Sequence, residues 1–259
     1  MQIFKYESSR KIRSSLIMAG IFSILAVVYT SFFPSVKEMG DDLLEAMPPA
    51  MIELLNLESF GTIEGFLATE MYAIFWVVLL GIYFAYVAAD SIAGDIQKGK
   101  MDLTLSCAVS RRQVILERTS SLVVPLLALN IMVPVVIYLM VLGLGEAMDP
   151  LVLIMVHLLS IPYLMVCISM GLMTSVVFQQ PKAAGGVAAG SVAVLWLIEG
   201  MARMVSAFDW LARLTPTHYY NPTEILVHGT FNYGGALLLM AISIILFIVA
   251  MEIFHHRDI

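Results

Sequence analysis

Six apolar runs punctuate the chain, at residues 16–33, 71–89, 122–144, 151–178, 183–198 and 235–254. Crossing the hydrocarbon core of a bilayer as a helix takes about 20 mostly apolar residues. The pattern therefore predicts an all-α integral membrane protein with six transmembrane helices. Pro34 follows the first run and marks its expected end. Tyr72 and Trp76 stand near the start of the second, the usual place for interfacial anchors. Pro125 and Pro134 lie inside the third and are expected to kink it or leave carbonyls unpaired. In the fifth, Gly185, Gly186, Ala189, Gly190 and Ala193 form a small-residue face. Gly186 and Gly190 make a G-x-x-x-G pair, suited to close packing within the subunit or across a dimer.

The polar segments differ in kind. Residues 90–118 carry Lys98, Lys100, Arg111, Arg112 and Arg118, the densest basic group in the chain. Met101, Leu103, Leu105, Val109, Val114, Ile115 and Leu116 recur at spacings that predict short amphipathic helices. Ser110 is placed to cap the second of them. The result is an elbow with one face in the membrane interface and one in water. Residues 35–70 are acidic, with Lys37 their single base, and 51–57 form a short apolar stretch suited to a surface helix. Residues 199–234 mix charges, aromatic residues and prolines.

Composition agrees with the pattern. The chain is 60% hydrophobic and 13% charged, against about half and a quarter in soluble domains. Basic residues set the orientation. Eleven fall in the termini, the elbow and the turn at Lys182, against three, Lys37, Arg203 and Arg213, in the other segments. Both termini and the elbow are thus expected on the cytoplasmic side, in a multi-pass protein of the cell membrane. Cys107 and Cys167 give no disulfide framework. The 18 methionines are spread along the spans, as core packing requires. Residues 1–259 read as a single transmembrane domain.

Candidate chemistry is sparse. Gly94 to Lys100 has the spacing of a phosphate-binding loop, but Met101 replaces the hydroxyl that would hold magnesium, and an apolar run precedes it instead of a strand. No nucleotide site is expected in this chain. His157 lacks a second ligand at helical spacing, and no catalytic pair shares a depth in the spans, so neither a metal nor a catalytic residue is assigned. An intramembrane enzyme is disfavoured on that ground. Asn130, inside the third run, reads either as a helix–helix hydrogen bond or as a cavity-lining group. Glu199 and Arg203 stand four apart and can pair on one helix face.

Several stretches carry a family resemblance. Gly94-Asp95-Ile96, Gly99-Lys100-Met101-Asp102-Leu103, Leu105-Ser106 and Val109-Ser110-Arg111-Arg112 resemble the cytoplasmic loop of ABC-2 type transporter permeases. Lys100 departs from the usual Thr, and Ala108 from the usual Pro. The segment 214–222, with Pro216, Tyr219, Tyr220, Asn221 and Pro222, resembles the region before the last span in the same family, with Thr215 and Thr217 as departures. The tail Phe254 to Ile259 is similar as well. The resemblance implies an elbow that contains a coupling helix and docks on an ATP-binding subunit. Asp95, Gly99, Lys100, Asp102, Leu103, Leu105, Ser110, Arg111 and Arg112 would form that contact. It also implies short outer helices before the sixth span. Asn130, Glu199, Arg203, His218, Tyr219, Tyr220 and Asn221 would be outer or translocation-path residues. The implied assembly is two permeases, alike or different, with two ATP-binding subunits that hold the ATP and magnesium; the bilayer is a further partner, and nucleic acid is not. A force-transmitting membrane anchor would share this fold, and the transported substrate is not legible.

Overall fold

Among the described residues of the computed structural model, six helices are long and apolar enough to cross a membrane. The structure describes residues 2–46, 61–106, 109–204 and 208–257, with side chains described in these except at 2–15, 40–46, 203–204 and 209. In chain order the long helices are α1 (Gln2–Ala46), α2 (Ile63–Gln97), α4 (Arg111–Leu144), α5 (Pro150–Val177), α6 (Pro181–Met204) and α10 (Tyr233–His256). Between them lie α3 (Lys100–Leu105), α7 (Asp209–Ala212), α8 (Pro216–Tyr219) and α9 (Pro222–Leu226). No strand occurs among the described residues. The expected surface helix at 51–57 and Cys107 lie outside them.

α5 is the hub. It packs against α2, α10, α6 and α4, while α1 lies along α4. Close approach of α2 and α5 depends on Gly171. A Cβ there would fall on the backbone carbonyl of Ala85 and within 2.8 Å of the Ala88 methyl. Backbone cannot yield as a side chain can. Gly171→Val should therefore cost about 3 kcal/mol or more, at the upper end of overpacking effects. The measurement is thermal unfolding in detergent, with Gly143→Val, whose added side chain starts in open space, as the control that stays near wild type.

Three expectations are corrected. Pro34 does not end the first helix; α1 continues through it. The missing amide removes one hydrogen bond, but packing carries the helix past this point: Phe33 is fully buried, with its ring 5.8 Å from that of Phe66. The second span starts at Ile63, well before residue 71. Thr62 caps it by accepting from the amide of Gly65, and residues Ala68–Leu79 continue as a π-helix. Tyr72 and Trp76 are not surface anchors. Both are fully buried, packed around His157, because the π segment turns them toward α5. The Tyr72 hydroxyl lies 3.3 Å from His157 Nε2, and His157 Nδ1 lies 2.9 Å from the Leu153 carbonyl oxygen.

Other boundaries move as well. Pro125 and Pro134 sit within α4, which begins at the elbow and runs unbroken to Leu144. α6 begins at Pro181. Gly186 and Gly190 are exposed, and a Cβ at either would meet nothing within 4 Å among the described residues. The close contact of α6 uses Gly185, against the Tyr86 ring.

Candidate functional site

Two places gather the residues singled out by sequence, at opposite ends of the bundle. The first is the elbow. α2 stops at Gln97, and Gly99 turns the chain with φ +64°, a conformation that favours glycine. α3 follows. Met101 is buried beneath it, while Leu103 on the outward side is 71% exposed. Gly99, Lys100 and Asp102 are exposed beside it, and Leu105 is half-buried. Ser110 caps α4 by accepting from the Gln113 amide at 3.2 Å.

Asp95, Arg111, Arg112 and Arg118 bind within the chain. Asp95 forms an ion pair with Arg118, joining the end of α2 to the start of α4, with both side chains largely enclosed. Arg111 donates to the Phe254 carbonyl at 3.2 Å and to that of Arg257, and so holds the end of α10. Arg257 in turn donates to the carbonyls of Val176 at 2.7 Å and Phe178 at 3.4 Å, at the end of α5. Such carbonyls at a helix C-terminus lack intrahelical partners, and a cation suits them. Arg112 reaches Glu252 at 3.2 Å on the exposed side. One apolar knob is thus presented by a platform fastened to four helix ends. Arg257 was legible only as part of the tail resemblance.

The second place is a cavity of about 170 Å³ at the far end. Ala73 and Val77 of the π segment form one wall. Trp196, Glu199 and Gly200 of α6 form another, and Thr217, Tyr220, Asn221, Pro222 and Thr223 close it. Glu199 is only 4% exposed. His218 stands at its edge, with Nδ1 3.8 Å from a Glu199 carboxyl oxygen. Tyr220 is buried, stacked on Tyr163 at 5.5 Å, and its hydroxyl donates to the Val156 carbonyl. Asn221 accepts from the Thr223 amide at 3.1 Å and caps α9.

Of the path candidates, the cavity collects Glu199, Tyr220 and Asn221, with His218 beside them. Tyr219 lies outside it and donates to the Arg213 carbonyl. The Arg203 side chain is outside the described residues. Asn130 makes the helix–helix bond: its Oδ1 accepts from Ser160 at 2.8 Å, between α4 and α5. Trp196 and Thr223 were not singled out from the sequence, and Thr217 only as a departure from the family pattern. Trp196 had one signal, its place three residues before Glu199 on the same helix face. No group of metal-ligating side chains occurs among the described residues.

Residues 9–255 match the family model described as multidrug efflux system permease Rv1217c, C-terminal domain. No curated protein matches the chain.

Proposed function

The chain belongs to the family of the multidrug efflux system permease Rv1217c, C-terminal domain, and on that premise we propose that it is the membrane half of an ATP-driven exporter of the ABC-2 type. It is a membrane permease. The family description makes drugs the natural cargo. The observation that carries ATP coupling is the elbow: an exposed Leu103 on a short helix that follows α2, whose end is tied to α4, with α4 tied in turn to α10 and the end of α10 to α5. A docking helix needs an apolar residue to fill a cleft on its partner and rim charges to orient it. Leu103, with Lys100 and Asp102 beside it, supplies both.

In this reading a separate subunit binds and hydrolyses ATP. The region 94–100 offers no nucleotide site, since Met101 lacks the required hydroxyl and the preceding element is a helix. Nucleotide-driven closure of the partners pushes on α3. The Asp95–Arg118 pair and the Arg111 and Arg257 bonds pass the displacement to four spans together, as a bistable bundle requires. Two permeases and two ATP-binding subunits complete the machine, with the elbow on the cytoplasmic side and the cavity on the outer side. The test is reconstitution with an ATP-binding subunit in sealed vesicles, where hydrolysis is expected to move a drug across the membrane.

A further inference from the structure

We propose that α2 is hinged at residues 89–94, just before Gly99 turns the chain into α3, and that Ser175 of α5 is the positioning residue that holds the hinge. The inference rests on the coupling reading and names where the motion is taken up. Residues 89–94 lie between two fastened parts of α2. Before them, the Ala85 backbone and the Ala88 methyl lie against Gly171 of α5. After them, Asp95 pairs with Arg118 of α4.

The turn between these anchors is weakened from three sides. Ser175 is fully buried, and its hydroxyl oxygen accepts from the amides of Ile92 at 3.1 Å and Ala93 at 3.0 Å. Within a helix those amides belong to the carbonyls four residues earlier. An oxygen from another span thus competes for two consecutive rungs of the ladder. Ser91 competes from the acceptor side: its hydroxyl donates at 2.6 Å to the Ala88 carbonyl, the one that the Ile92 amide would use. Gly94 follows, and a glycine inside a helix weakens it. A Cβ there would fall 2.5 Å from an Asp90 carboxyl oxygen, so the Asp90 side chain lies over the space that glycine leaves. Inserted side chains and Gly/Ser pairs are the usual places where helices bend. α2 remains helical to Gln97, so the hinge is a bend within a helix.

Ser175 also stands where the fastened ends begin. The next carbonyl, that of Val176, takes Arg257, and the Arg257 carbonyl takes Arg111. A push on α3 can therefore tilt the elbow with the ends tied to it while the Ala85–Gly171 contact stays closed. A stiff α2 would carry the same push into that contact, where packed backbone has little room to yield.

The test has two arms. In the first, amide hydrogen exchange at Ile92 and Ala93 is followed in the chain alone in nanodiscs. Ser175→Ala removes the competing oxygen and returns both amides to the ladder, so their exchange should slow about threefold or more. Ser91→Ala should slow exchange at Ile92 and gives a second route should Ser175→Ala fold poorly. Thr174→Ala, whose lost hydroxyl bonds to the Gly171 carbonyl within α5, should leave both rates unchanged. A hydroxyl that merely clasps α2 to α5 predicts the opposite, faster exchange and a lower Tm on its removal. In the second arm the complex with the ATP-binding subunit is loaded with a non-hydrolysable ATP analogue. The analogue should speed exchange at Ile92 and Ala93 in wild type and not in Ser175→Ala. ATP turnover of the Ser175→Ala complex should fall about threefold or more, with assembly unchanged.

Unchanged or faster exchange in Ser175→Ala would overturn the proposal, as would wild-type ATP turnover in its complex. An assembled wild-type complex whose exchange at Ile92 and Ala93 ignores the nucleotide would overturn it too. Slower exchange in Ser175→Ala, in a chain that assembles with no ATP-binding subunit, would sink the coupling reading and leave the hinge.

Discussion

Leu103→Asp is expected to abolish assembly with the ATP-binding subunit while the permease still inserts and folds. The substitution is harmless to the isolated chain because Leu103 is 71% exposed and packs on little of its own protein. In the proposed assembly the same position is buried against the ATP-binding subunit. An aspartate there places an unpaired charge in a desolvated contact, which costs about 3 kcal/mol or more, over a hundredfold in affinity. Co-purification and ATPase activity in lipid measure the loss, and thermal unfolding of the permease alone should not move. The competing view makes the elbow only a topological signal, one that holds the loop inside by positive charge. On that view Leu103→Asp leaves assembly and turnover intact, since it removes no base.

Arg118→Leu should be the most destabilising single change in the elbow. Arg118 and Asp95 form an ion pair with side chains only 11% and 16% exposed. Removing one partner leaves the other charge enclosed, at a cost of about 3–5 kcal/mol. For a chain of this size that corresponds to a fall in Tm on the order of 10 °C. Replacing both, in Asp95→Leu with Arg118→Leu, should recover much of the loss, because two apolar groups leave no charge stranded. Arg112→Leu is the contrast. Its pair with Glu252 is half exposed on both sides, and such solvent-screened pairs contribute little to stability. Equal Tm changes for Arg118→Leu and Arg112→Leu would remove the enclosed pair from its place as the fastening of α2 to α4.

Local features of the chain were legible and relational ones were not. The six spans follow from apolar runs, and the Ser110 cap needs only the residue type and the helix it opens. The α3 helix follows from helical spacing, but that Met101 turns inward and Leu103 outward shows only in the fold. Pro34 misleads because its cost is local, whereas what carries α1 onward is the contact of Phe33 with Phe66, far along the chain. Tyr72 and Trp76 mislead for a similar reason. Belt positions are inferred from distance to a span's end, but the span begins earlier, and the π segment rotates these rings toward His157. The G-x-x-x-G pair could not be assigned by spacing, and within this chain Gly171 and Gly185 make the close approaches instead. The cavity assembles stretches around residues 73–77, 196–200 and 217–223. Polar character flagged Glu199 and Asn221 singly, but their common wall with Trp196 exists only once the chain is folded.

The most direct measurement is ATP-dependent drug accumulation in inside-out vesicles that hold the permease with its ATP-binding subunit. The account predicts accumulation with ATP and none with a non-hydrolysable analogue. It also predicts that Leu103→Asp abolishes accumulation while the permease remains inserted. ATP turnover that moves no solute, or accumulation in Leu103→Asp at the wild-type rate, would contradict it.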